Sequence, residues 1–135
     1  MSFGPTKRKP SDAAFSDCVR MAKNWNCERC GRNYSNSKGS LHCSHIYPRT
    51  HRTLRWCKDN AQALCVTCHS WYHSHPTESG KWVEEILGEA MVELLIEKKN
   101  SKVRVSKLEE KDIAKHYREQ LKLLEDGAET FISWQ

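Results

Sequence analysis

Two stretches decide how this chain is read: Leu41-His42-Cys43-Ser44-His45-Ile46-Tyr47-Pro48, and Asp59-Asn60-Ala61-Gln62-Ala63-Leu64-Cys65-Val66-Thr67-Cys68-His69. Leu41 to Tyr47 reads as a strand stopped by Pro48, and Ala61 to Leu64 as a second short strand. Cys65 to His75 then reads as a helix that Pro76 ends. Two strands followed at once by a helix predict a small α+β unit, and the residues able to do chemistry in it are His, Asn and Cys.

The pair Cys65-Val66-Thr67-Cys68 has a counterpart upstream, Cys27-Glu28-Arg29-Cys30, followed by Gly31. Each C-x-x-C can present two thiolates from one tight turn. Together they predict a tetrahedral four-sulfur site, which suits a structural Zn²⁺. The pairs stand 35 residues apart, farther than a simple zinc ribbon needs, which leaves room for a functional insertion. A redox role is disfavoured, because no thioredoxin-like βαβ pattern surrounds either pair.

The composition gives such a staple a purpose. The chain has 135 residues, of which 38% are hydrophobic and 29% charged, so its core is thin. Binding of structural zinc contributes on the order of 10 kcal/mol in small peptides. No run approaches the length of a transmembrane helix. The opening MSFGPTKRKP lacks the apolar run of a secretory leader, so the expected compartment is the cytoplasm, in a bacterial host if the gene belongs to a phage. Thiols stay reduced there, so seven Cys point to metal rather than disulfides. Cys18, Cys43 and Cys57 are left as small buried residues.

Charge is unevenly spread. Residues 1–60 hold 12 Lys/Arg against 4 Asp/Glu, a balance of +8, whereas residues 61–135 hold 10 against 13, a balance of −3. A basic first half predicts an anionic partner. Residues 1–11, with Lys7, Arg8 and Lys9, read as a flexible basic arm. A helix is predicted from Ser11 or Asp12, with Phe15, Val19 and Ala22 on one face. Gly31 to Gly39 reads as a loop, and Arg49 to Asp59 as a basic loop holding Trp56. Trp56 and Trp71 could stack on unpaired bases or pack under that loop. Thr77 is placed to cap a helix bearing Trp82, Val83, Ile86 and Leu87, and Gly88 to stop it. Met91 to Ile96 lie in a further helix. Ser106 and Glu109 form a capping box for a last one, with Leu108, Ile113, Tyr117, Leu121 and Leu124 along it. The two aromatics of the tail, Phe131 and Trp134, suggest docking on the same domain or a neighbour.

The Ser44-His45-Ile46 after the first strand, the Leu54-Arg55-Trp56 ahead of Asp59-Asn60 and the Cys-x-x-Cys opening the helix resemble the HNH nuclease superfamily. Within it the chain looks most like the phage NinG/Rap recombination nucleases. The resemblance covers roughly residues 12–98. It implies a zinc-stapled ββα-metal (HNH) core there, with an N-terminal helix and, over residues 99–135, a C-terminal helical extension. The implied activity is metal-dependent endonucleolytic cutting of DNA, in branched recombination intermediates such as Holliday junctions or D-loops, during phage recombination. His45 takes the position of the general base. Asn60 takes that of the residue bracing the loop, and His69 that of a ligand to a catalytic Mg²⁺ or Mn²⁺. His73, one helical turn after His69, is the expected second ligand. Where many members place Asp or His directly before the base, this chain has Ser44, a poor ligand. His42 is then a third candidate ligand, although strand alternation points it to the side of Ser44. His75 is expected outside the site.

Arg49, Arg52, Arg55 and Lys58 are expected to clamp phosphates, since guanidinium forks match phosphate oxygens. Two nicks across a junction predict a homodimer, for which the C-terminal helices offer apolar stripes. The reading also leaves room for a recombination-protein partner. Two rival readings remain: a non-catalytic zinc module that binds DNA or a recombinase, and an HNH nicking nuclease acting on plain duplex.

Overall fold

The computed structural model describes residues 8–134, so most of the expected basic arm, Lys7 included, lies outside the described residues. Helix α1 spans Pro10–Ala22. Pro10 at its start brings a helix-ready φ and lacks only an N–H that would be unpaired anyway. Residues 10 and 11, read as arm, are therefore helical, Ser11 is buried, and Lys9 pairs with Glu110 at 3.0 Å. Beyond α1, Asn24 and Trp25 take left-handed backbone (φ 54° and 61°) and turn the chain into Cys27. Arg20 and Lys38 lie 5.0 and 4.8 Å from the Trp25 ring.

Strands β1 (Leu41–His45) and β2 (Ala61–Cys65) pair antiparallel, with Leu41 opposite Cys65 and His45 opposite Ala61. β1 stops two residues short of the predicted Tyr47, because the Tyr47 N–H is taken by the Asn60 side chain. The predicted loops hold short ordered turns. A 3-10 turn covers Lys38–Ser40, helix α2 covers Arg52–Arg55, and a second 3-10 turn covers Lys58–Asn60. Helix α3 (Val66–Ser74) follows β2 with no intervening loop, and the Cys65 sulfur caps it by accepting from Cys68 N–H.

Helix α4 (Pro76–Leu87) starts on Pro76, so Thr77 lies inside the helix and is not its cap. Gly88, at φ 84°, separates α4 from α5 (Glu89–Asn100). Helix α6 (Lys107–Glu125) begins at Ser106, whose hydroxyl accepts from Glu109 N–H at 3.1 Å. Among the described residues the protein is thus a small α+β fold of six α-helices and one two-stranded sheet.

The largest core lies between α1 and α6. Phe15 meets Tyr117 edge-on at 5.0 Å, and the Tyr117 hydroxyl donates to the Trp56 carbonyl. Each such ring, fully buried, contributes about 1.5–3 kcal/mol. The predicted stripe of α6 is therefore engaged inside the chain: Ile113, Tyr117 and Leu124 are buried against α1, while Leu108 is exposed. That removes the stripe as an argument for a dimer. Phe131 joins the same core and Trp134 packs against it, so the tail docks on its own domain. Cys18 fits the role foreseen for it, buried with its thiol donating to the Tyr117 carbonyl at 3.2 Å. Cys57 is buried as well, and Cys43 packs against the main core. Burial pushes the Cys18 and Cys43 thiols up to about 12, so both stay protonated.

Candidate metal centre and histidine cavity

The sulfurs of Cys27, Cys30, Cys65 and Cys68 lie within 4.8 Å of one another, close enough to bind one metal ion. Cys30 and Cys65 stand 3.9 Å apart, near the ~3.8 Å edge of a sulfur tetrahedron with 2.3 Å bonds. Two chain segments, a loop and a strand–helix junction, hold them. In the first, Gly31 (φ 77°) closes a turn back to the Cys27 carbonyl at 2.9 Å. This loop docks on the outer edge of β2: Glu28 N–H donates to the Ala63 carbonyl, and Ala63 N–H to the Glu28 carboxylate. The second segment is the β2–α3 junction, where Cys65 ends the strand and Cys68 lies in the first turn of the helix. Cys65 N–H points at the Cys27 sulfur (3.4 Å), and the Arg29 guanidinium at the Cys68 sulfur (3.5 Å). Burial raises the Cys65 thiol, but hydrogen bonds from Tyr34 and Cys68 outweigh it and bring it down to about 6. Such donors stabilise thiolate, the form a metal takes.

A cavity of about 710 Å³ opens along the free edge of β1, between α1 and α3. It gathers four of the predicted residues, His42, His45, His69 and His73, with Arg49 at its rim. His69 and His73, one turn apart on α3, bring their Nε2 atoms to 3.0 Å. Two ligands at right angles on an ion with ~2.1 Å bonds stand about 3.0 Å apart, so this pair can share one cation. His42 meets His69 on its other nitrogen, Nδ1 to Nδ1 at 2.9 Å. A single His69 nitrogen does not face both neighbours. His42 therefore contacts His69 on the nitrogen opposite the one that meets His73. Burial, then the charges of His73 and His42, pulls His69 down to about 4, which keeps it in the neutral donor form. Burial and Arg20 lower His42 as well.

His45 sits apart, on the α1 side of the cavity, 6.0 Å from the Phe15 ring. Its Nε2 lies 3.0 Å from the Arg55 carbonyl. A carbonyl only accepts, so Nε2 carries the proton and Nδ1 holds the lone pair. Burial lowers the His45 pKa from its ordinary value, although the Arg55 carbonyl raises it. Asn60, fully buried, fixes the segment that presents this carbonyl. Its amide oxygen accepts from Tyr47 N–H (2.9 Å), and its amide nitrogen donates to the Tyr47 and Leu54 carbonyls (3.0 and 3.3 Å). Ser44 is buried outside the cavity lining and contributes no ligand to it.

The predicted phosphate clamp is mostly engaged elsewhere. Arg55 forms a two-point ion pair with the buried Asp12, at 2.9 and 2.5 Å. Arg52 pairs with Glu110 at 2.7 Å, and Lys58 bonds to Thr130 and the Phe131 carbonyl. Only Arg49 of the four lines the cavity, at 3.7 Å from Asp12. Trp56 is buried in the main core, which removes it from base stacking, and Trp71 carries the Arg29 guanidinium at 3.6 Å from its ring. His75 packs against Trp71, outside the cavity as expected.

Asp12, Ser16 and Arg20 also line the cavity and were missed as site residues. Their spacing of four along α1 marks a polar stripe beside the apolar one, which is the signal that could have found them. No helix of the described residues is long and apolar enough to cross a membrane. No protein-family model matches this chain, and no curated protein or solved structure matches it.

Proposed function

We propose that the chain is a zinc-stapled, metal-dependent DNA endonuclease with an HNH-type ββα-metal core, formed by β1, β2 and α3. The observation that carries this reading is one cavity lined both by His45, whose Nε2 is taken up by the Arg55 carbonyl, and by the His69–His73 nitrogen pair. In it, His45 Nδ1 takes a proton from the attacking water, a step typically contributing ~10²–10⁴-fold. Arg49 draws the phosphodiester to the rim. Asn60 keeps the 47–60 segment closed, so that the Arg55 carbonyl holds His45 in one tautomer. His42 does the same for His69. His69 and His73 would hold a divalent ion, whose chemistry there would be Lewis-acid stabilisation of charge on the phosphodiester. The nearest carboxylate, Asp12, is tied to Arg55, so the donors are nitrogens and suit Mn²⁺ better than Mg²⁺. The four-cysteine centre takes Zn²⁺ and holds the core together. Branched recombination intermediates of phage are the proposed substrate on the strength of the motif resemblance.

Wild type and His45→Ala, given labelled four-way junction, Y-fork, single strand and linear duplex with Mn²⁺, Mg²⁺ or EDTA, test this. Metal-dependent cutting is expected, fastest on a branched substrate and ~10²–10⁴-fold slower in the variant. Equal cutting of linear duplex turns the reading to a plain nicking nuclease. Binding without cutting under every ion turns it to a non-catalytic zinc module, which the absence of an acid at Ser44 favours.

A further inference from the structure

The chain that leaves β1 carries a second feature beyond the histidine cavity. Arg49 lines the cavity, and the next residue, Thr50, lines a separate groove of about 530 Å³. The groove's far wall is the end of α5 and the α5–α6 connector. Its cations are Arg52, Lys99, Lys102 and Arg104, interspersed with short polar groups such as Thr50 and Asn100, and its lining holds no carboxylate. Lys102 and Arg104 are exposed and make no ion pair among the described residues. Lys99 rests its ammonium 5.0 Å from the Tyr47 ring and also pairs with no carboxylate there. Arg52 shares its charge with Glu110, so the other three carry most of the field. The wall is anchored: the Thr53 hydroxyl of α2 donates to the Lys98 carbonyl at 2.5 Å, which ties the end of α5 to the chain beside the cavity.

Four cations with small hydrogen-bonding neighbours and no acid are what a phosphodiester backbone needs and what an apolar or acidic partner does not. The groove is lined by no Phe, Tyr or Trp for base stacking, and its four cations outnumber its one amide, Asn100, so charge on the backbone is the contact it favours. We propose that this basic groove holds the phosphate backbone of a nucleic-acid strand as it leaves the histidine cavity. The proposal rests on the nuclease reading, since it takes the occupant of the cavity to be nucleic acid.

The test is binding of labelled four-way junction and duplex to the full zinc-loaded chain, with no chelator and no added Mg²⁺ or Mn²⁺, between ~50 and ~200 mM salt. Wild type is compared with a Lys99→Gln, Lys102→Gln, Arg104→Gln triple variant whose zinc content and thermal melt match wild type. Each phosphate contact contributes about 0.9 to the slope of log affinity against log salt, so the triple variant is expected to lose about 2.7 of that slope. Over the fourfold rise in salt, wild type then loses about 40-fold more affinity than the variant. If wild type binds and the two slopes coincide, the groove is overturned and the nuclease reading stands. If wild type binds no nucleic acid, the nuclease reading fails and the groove falls with it. Triple-sensitive binding to phosphatidylserine vesicles with coincident DNA slopes also overturns it, reassigning the groove to a membrane surface.

Discussion

Cys68 and His69 are consecutive residues of α3, yet they face two clusters built in opposite ways. The four sulfurs point at one another from two chain segments, and backbone N–H groups and Arg29 close in around them. The three imidazoles form a chain instead, with His69 in the middle using both of its nitrogens, and beside them lies open space. A closed tetrahedral centre with every donor committed is what a structural ion asks for. A pair of donors facing a cavity leaves positions for water or substrate, as catalytic centres do. A single residue step along α3 thus separates a closed four-sulfur cluster from an imidazole chain that borders a cavity.

The largest expected effect breaks the first half of this contrast. Removing metal from the sulfur cluster, by chelation or by Cys65→Ser, is expected to cost on the order of 10 kcal/mol. That exceeds the stability a thin core retains, so the cooperative thermal transition should vanish together with one bound zinc. A cluster whose loss leaves the melt intact would not be a staple at all. A smaller effect sharpens the second half. His69→Ala should leave that melt within a few degrees of wild type, since the residue is half-exposed and outside all three cores. It should weaken binding of Mn²⁺ added beyond the structural ion by tenfold or more, read by calorimetry. Unchanged Mn²⁺ binding would take His69 out of the site.

The smallest effect is on pH. His69 is held down at about 4, against 6.5 for a free imidazole. Between those values the unfolded chain binds a proton that the folded chain refuses. Stability is therefore unaffected above pH 6.5, and falls as the pH drops through the window toward 4. The direction follows from burial, with the His73 and His42 charges adding to it; partial exposure keeps the effect small. NMR titration of the metal-free cavity should give a His69 midpoint well below 6.5, and a midpoint at 6.5 would show the cluster to be open to water.

Much of this was legible in the sequence because it depends on near neighbours. The C-x-x-C pairs, the two strands around them, Asn60 beside β2 and the His69–His73 turn are all local patterns. The basic loop misled for the opposite reason. Arg55 and Arg52 look free until Asp12 and Glu110 are seen, and those partners stand 43 and 58 positions away. His42 was hard to place because strand alternation gives only its side, and whether α3 crosses that side is a matter of tertiary packing. The stripe of α6 was read correctly as apolar. Its partner was α1, almost a hundred positions upstream, which no periodicity could name.

The docking of the first cysteine loop on β2 has a consequence for how the chain must assemble. Cys30 and Cys65 are 35 positions apart, and both strands lie in the span between the two cysteine pairs. An ion gripping both pairs closes that span as a crosslink would, removing loop entropy from the unfolded chain before any strand has found its mate. The Glu28 backbone, next to Cys27, lies along the outer edge of β2. With zinc in the cluster, metal capture would favour pairing of the two strands and secure the loop that covers an edge otherwise open as a template for another chain. Starved of the ion during synthesis, this protein would be lost first to aggregation, and only secondarily to lack of activity.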